Sequence, residues 1–316
     1  MKLRIGSRGS QLALWQANHI AALLRTKGHT VEIQIIKTTG DRLQEVTFAQ
    51  VGSKGMFTKE IEEALADGSV DLAVHSLKDL PTELPEPFSL AATPQRVDPR
   101  DVFVSVKYEN LDALPQGARV GTSSQRRRAQ LKSVRPDIEA IEFRGNVDTR
   151  LRKLAEGQVD AILLAAAGLD RLEKTEWVRE RLEPKDFCPA AGQGALGIET
   201  RKDDAATMAA VAFLDHAATR FAVTVERAAL AALGGGCQVP IGVHCRPWLN
   251  EDSGADEALW DEFFAVVADP QSGKSVRIYH IALHAGADPA TLGQKVAQKL
   301  IDAGAGQLLA AAGGVQ

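Results

Sequence analysis

The chain has 316 residues, 45% of them hydrophobic and 25% charged, and 37 Lys plus Arg against 41 Asp plus Glu give a formal net charge of −4. That balance belongs to an ordinary folded protein and excludes a disordered chain, a collagen-like repeat and a disulfide miniprotein. The mild acidity argues against a general nucleic-acid binder, which needs a basic surface, and the length suits two or three domains of roughly 150 residues or fewer.

The first segment, MKLRIGSRGS, lacks an apolar stretch, so no secretory signal is expected. The longest apolar run, residues 161–169, is half of the roughly 18 residues a membrane span needs. Residues 3–5 read as a short strand. Ser10 then precedes an apolar-periodic helix carrying Leu12, Leu14, Trp15, Ile20, Leu23 and Leu24, closed by Gly28. Residues 31–38 alternate as a strand. Residues 40–59, rich in Gly and basic side chains, read as a lid. Within them VGSKGMFTK resembles a phosphate loop but lacks the GxxxxGK[ST] spacing, which argues against a nucleotide site. A helix over residues 58–66 and a strand over 71–77 follow, ended by PTELPEP. The alternation predicts a mostly parallel sheet.

A second unit starts near Asp101, with strands at 101–106, 118–120, 138–143 and 160–164 and helices around 124–133 and 146–156. ATPQRVDPR before it and CPAAGQGALGIE after it read as two crossovers, so two α/β units should hinge about a cleft. An Ala-rich helix over 217–233 stops at Gly234-Gly235-Gly236. Strands at 239–243, 263–268 and 276–284 and a helix over 289–303 complete a small α+β unit.

Two strand ends echo each other. Ile5-Gly6-Ser7-Arg8-Gly9-Ser10 and Val120-Gly121-Thr122-Ser123-Ser124-Gln125-Arg126 each run from a strand through Gly and hydroxyl residues into a helix. Free backbone N–H groups at such helix starts attract anions. Arg8, Arg126, Arg127, Arg128, Arg144, Arg150 and Arg171 cluster after strand ends, where open sheets bind ligands, and Arg pairs bidentately with carboxylates. The ligand should therefore carry several anionic groups. His75-Ser76-Leu77-Lys78-Asp79 ends a further strand, and Asp79 among cations can balance a cationic intermediate; His75 reads as structural. Cys237, flanked by three Gly, is an uncrowded thiol suited to a covalent attachment, whereas Cys188 and Cys245 read as small buried hydrophobes. Three Cys without metal-type spacing indicate free thiols in a reducing cytoplasm, and the scattered His give no metal site.

SRGSQLALWQ, VGSKGMFTKE, DLAVHSLKDLP, DPRDVFVS, VGTSSQRRRAQL, FRGNVDTRL, AILLAAAGLDRL, PAAGQGALGIE and GGGCQVPIG run in order over residues 3–243. In this the chain resembles the porphobilinogen deaminase (hydroxymethylbilane synthase) family. The resemblance implies two α/β domains like type II periplasmic binding proteins, residues 1–95 with 195–214 and residues 100–190, and a small α+β domain, residues 217–316. It implies a cytoplasmic monomer, active with neither membrane nor nucleic acid. It also implies a dipyrromethane cofactor held by a thioether to Cys237. Four porphobilinogen units are joined head to tail on this primer, each losing ammonia, before water releases 1-hydroxymethylbilane. By matched position Asp79 is catalytic. Ser76, Lys78, Thr122, Ser123, Ser124, Arg126, Arg127, Arg144 and Gly145 hold the cofactor. Arg8, Ser10, Lys54, Phe57, Arg150, Arg171 and Gln193 hold the substrate. A cytoplasmic anion sensor with a hinged two-unit cleft is the competing reading; Cys237 separates the two, since a sensor needs no Gly-flanked thiol.

Overall fold

A computed structural model describes residues 1–39, 58–235, 239–247, 260–283 and 286–311. The first sheet starts with β1 (Lys2–Ser7), which leads into α1 (Gln11–Thr26) and returns as β2 (Thr30–Ile35). After α2 (Lys59–Ala66) come β3 (Leu72–Ser76), a 3-10 turn over Leu77–Asp79, and β4 (Phe88–Ala92). Residues 93–100 then carry the chain into the second sheet. Its elements are β5 (Asp101–Val104), β6 (Arg119–Gly121), α3 (Gln125–Val134), β7 (Glu139–Ile141), α4 (Val147–Ala155), β8 (Ala161–Ala165), α5 (Ala166–Arg171) and β9 (Val178–Leu182). Residues 183–195 bring it back as β10 (Leu196–Arg201), followed by α6 (Ala205–Val211) and α7 (Ala217–Ala232). The third sheet holds β11 (Ile241–Pro247), β12 (Trp260–Ala268) and β13 (Ser275–Leu283), followed by α8 (Pro289–Asp302) and α9 (Ala305–Ala311).

The first two sheets share one plan. Their orders are β2-β1-β3-β10-β4 and β7-β6-β8-β5-β9. In the first, β1 runs parallel to β2 and β3, while β10 runs antiparallel to β3 and β4. In the second, β6 runs parallel to β7 and β8, and β5 antiparallel to β8 and β9. This corrects the expectation of a mostly parallel sheet: half of the pairings in each are antiparallel. The cause is the pair of crossovers, each of which inserts one strand from the far side of the hinge between two strands of the other unit. Each of the two units is thus a mixed five-stranded sheet, and the two exchange one strand each through the crossovers. The third sheet is an antiparallel meander, β11-β12-β13.

Each layer buries its own core. In the first unit α1 lays Ile20 and Leu24 over Leu3, Ile5, Leu72 and Ile198. The second sheet is covered on both faces, by Phe103, Leu131, Leu163 and Phe187 on one and Val104, Leu151, Ile162 and Leu169 on the other. In the third, α7 and α8 bury Val225, Ala229, Val296 and Leu300 against Val243 and Phe263. Burying a Val, Leu or Phe side chain contributes about 1.5–3 kcal/mol each. Sequence reading misses β4, β9, α5, α6 and α9 and takes β10 for part of a crossover.

Candidate active site

The two echoed helix starts form as the sequence suggests. Ser10 caps α1, its Oγ accepting from the Ala13 N–H (3.3 Å), and Ser124 caps α3, accepting from the Arg127 N–H (3.4 Å). The Thr122 hydroxyl accepts from the Ser124 N–H (3.2 Å). At the end of β3, Gln16 of α1 donates to Ser76 Oγ (2.8 Å), fixing the turn that presents Lys78 and Asp79.

Two cavities meet at Leu12 and Ser76 to form one cleft. Arg8, Ser10, Gln16, Ser76 and Asp79 line the first, and Lys78, Arg127, Arg150, Arg171 and Gly194 line the second. Five cationic side chains, Arg8, Lys78, Arg127, Arg150 and Arg171, therefore line a cleft with one carboxylate, the exposed Asp79, which acts on Lys78 and Arg127. The Nε atoms of Arg150 and Arg171 are buried without a hydrogen-bond partner among the described residues. Arg150 otherwise reaches the Ser123 hydroxyl (3.3 Å), and Arg171 the Gly194 carbonyl (2.8 Å). Burial pushes both guanidiniums down to about 10, helped at Arg150 by Arg127. Burial, then Arg127, likewise pushes the Lys78 ammonium down to about 8, against the pull of Asp79 and Asp101.

Behind this wall lies a network the sequence did not announce. Asp101, fully buried at the head of β5, accepts from Arg126 (2.6 Å), from Arg127 (2.7 and 3.0 Å) and from Gln193 Nε2 (2.8 Å). Burial would raise its carboxyl, but the two guanidiniums outweigh that and hold it well below the usual carboxylate range. Gln193 also donates to the Pro99 carbonyl (2.7 Å) and accepts from Lys78 (3.2 Å). Arg126, whose second partner is the Cys188 carbonyl (2.6 Å), stands behind the cleft rather than lining it, as does Gln193. Lys78, Arg126, Arg127 and Gln193 were expected at the site; Asp101, which joins them, stood in the sequence only at the start of the second unit, in the stretch DPRDVFVS.

A second hub holds the hinge. Glu226 of α7 accepts from Arg96 (2.6 and 3.1 Å) on the outward crossover and from the Gly192 N–H (2.7 Å) on the return crossover. It also accepts from the Cys245 N–H (2.9 Å) and sits 3.2 Å from His244 Nδ1 on β11. The crossovers themselves touch at Gly194 (φ 87°), where a Cβ would lie 2.6 Å from the Val97 carbonyl oxygen.

The remaining expected residues separate. Arg144 and Arg128 both bind Glu142 (2.7 and 3.2 Å) at the rim. Gly145 holds φ 121°, a conformation that favours glycine, packed against Thr149. His75 is buried 2.9 Å from Glu199 and lines the first cavity. Cys188 and Cys245 are buried, and burial pushes the Cys188 thiol up to about 12. Cys237, Lys54, Phe57 and nearly all of the expected lid lie outside the described residues. No group of His, Cys, Asp and Glu among the described residues could hold a metal ion.

Fold and site together define a protein of two mixed α/β units joined by two crossovers, with a cleft lined by five cationic side chains and Asp79. The family model "Porphobilinogen deaminase, dipyromethane cofactor binding domain" matches residues 3–209, and "Porphobilinogen deaminase, C-terminal domain" matches 220–302. The chain is 50% identical over 311 residues to the porphobilinogen deaminase of Nitratidesulfovibrio vulgaris (strain DP4), covering 97% of this chain and 95% of that one. It is 47% identical over 309 residues to that of Stenotrophomonas maltophilia (strain R551-3), covering 97% and 98%. A solved structure of the methionine-binding protein MetQ is similar at 13% identity and a TM-score of 0.45, covering 67% of this chain and 89% of that one, too remote to carry a conclusion. The chain belongs to the porphobilinogen deaminase family, is an enzyme of that family and has its dipyrromethane-binding domain.

Proposed function

We propose that this chain joins porphobilinogen units head to tail on a dipyrromethane primer anchored at Cys237, releasing ammonia at each addition and finally 1-hydroxymethylbilane. The observation that carries this reading is the cleft lined by five cations and Asp79. Each pyrrole of such a chain bears an acetate and a propionate, so a growing product needs many cations. The residues fit the primer: the partnerless, desolvated Nε atoms of Arg150 and Arg171 lack the counter-ion that a pyrrole carboxylate supplies. The primer contributes a nucleophilic pyrrole carbon for the first addition.

The chain's own residues supply the rest. Asp79, on the turn after β3, accepts hydrogen bonds from pyrrole N–H groups and stabilises the positive charge left on the substrate ring as ammonia departs. Lys78 and the Arg set bind the carboxylates and fix the ring faces. Asp101 and Gln193 are positioning residues: they hold Arg127 and Lys78 at the wall. Of the remaining expected residues, Ser10, Thr122 and Ser124 add hydrogen-bonding groups at the two helix starts, and Arg8, Arg144, Lys54 and Phe57 serve the growing chain.

Residues 1–95 with 195–214, 100–190 and 217–316 act as three domains, and the enzyme works as a cytoplasmic monomer. Among the described residues no single helix is long and apolar enough to cross a membrane. The test is incubation with porphobilinogen: one ammonia should appear per porphobilinogen consumed, and Asp79→Asn should stop both. Binding without ammonia release would favour the anion-sensor reading instead.

A further inference from the structure

A second cavity lies away from the cleft and shares no lining residue with it. It opens between the start of the return crossover and the third sheet, with a volume of about 470 Å3, a size usual for small-molecule sites. Its floor is aromatic: Phe264 of β12 and Tyr279 of β13 lie on the cavity face of the sheet, while their neighbours Ala265 and Ile278 turn into the core on the other face. Its charged lining is Lys185, Arg246, Glu262 and Arg277.

Arg277 is the unusual member. Its Nη2 is buried without a partner, and the part-buried side chain makes no hydrogen bond or salt bridge with any described residue, although Asp186 offsets some of its burial from a distance. The carboxylate of the cavity is already engaged. Glu262 binds Arg246, which lies 5.3 Å over the Phe264 ring, and accepts from the Tyr279 hydroxyl (3.1 Å). The neighbouring Cys188 thiol donates to the Phe264 carbonyl (3.3 Å) and, pushed up to about 12 by burial, stays neutral. A desolvated guanidinium is costly unless something pairs with it.

We propose that this cavity is a binding site for a small planar monocarboxylate, its acid paired with Arg277 and its flat body on Phe264 and Tyr279. A guanidinium fork matches a carboxylate bidentately, and an aromatic floor favours a ring over an inorganic anion. Lys185 at the exposed rim adds attraction. The ligand would bridge residues 184–188 to β12 and β13, tying the third sheet to the return crossover. This inference does not depend on the reaction proposed above.

The experiment is calorimetric titration of the full-length protein with benzoate and indole-3-acetate, against benzamide and indole-3-acetamide. The acids should bind at least about 10-fold more tightly than the amides, and Arg277→Gln should remove that preference. Lys185→Glu, an exposed change that leaves the fold alone, should weaken the acids several-fold. Arg150→Met, which removes a carboxylate-binding guanidinium from the cleft, should leave their binding unchanged, which separates this site from the cleft. Equal affinity for acids and amides, an unaltered acid affinity in both the Arg277 and Lys185 variants, or no acid binding up to about 50 mM would each overturn the proposal.

Discussion

Glu226→Gln is the sharpest test of how the three sheets are held together. The carboxylate is fully buried and takes hydrogen bonds from both crossovers and from β11. Burial would raise its pKa, but Arg96 and His244 outweigh that and hold it at about 2, against an ordinary 4.5. That depression corresponds to roughly 3 kcal/mol of stabilisation by the charged form. Breaking a buried pair by removing one partner costs about 3–5 kcal/mol, a similar figure reached independently. The amide would also turn an N–H group toward donors it cannot pair with. Urea unfolding at pH 7 should therefore show Glu226→Gln less stable by about 3–5 kcal/mol. The folded-state pKa is depressed, so the stabilisation is full above about pH 4.5 and is lost as pH falls toward 2. The gap between wild type and variant should hold from pH 6 to 8 and narrow by about 2 kcal/mol at pH 3. A gap within about 1 kcal/mol at pH 7, or one that does not narrow in acid, would refute the reasoning.

Three further outcomes follow from the cleft. Asp79→Asn is isosteric at an exposed position, so unfolding should stay within about 0.5 kcal/mol of wild type while turnover falls about 100–1000-fold; near-normal turnover would remove Asp79 from the chemistry. Arg150→Met should leave stability unchanged or raised, because a desolvated guanidinium is lost, yet cut turnover at least about 10-fold; a destabilised variant with normal turnover per folded molecule contradicts this. Lys78 carries its charge below about pH 8 and loses it above. The KM for porphobilinogen should therefore rise between pH 7 and 9 in wild type but not in Lys78→Arg; the same slope in both would show that another group titrates.

Much of the fold was legible because its signals are local. The caps Ser10 and Ser124, the alternation of β2 and the stop at Gly234 sit within a few residues of the elements they define. What local pattern could not show is where a strand goes once formed. The strand β10 lies between β3 and β4, more than 100 residues earlier in the chain. That insertion is what turned an expected parallel sheet into a mixed one. The cleft was half legible for the same reason. Arg8, Arg127, Arg150 and Arg171 converge as their positions after strand ends suggested. Asp101 and Glu226 gave no such sign, since their roles come from partners 18 to 130 residues distant. Arg126 and Gln193, expected at the ligand, both hydrogen-bond Asp101 behind the cleft.

The central claim is a covalent pyrrole primer on Cys237, and intact mass spectrometry of the denatured protein addresses it most directly. Wild type should carry an adduct with the mass of two linked pyrroles, present as purified or gained on incubation with porphobilinogen, and Cys237→Ser should carry none. A bare wild-type mass after that incubation, or the same adduct on the Cys237→Ser protein, would contradict the account.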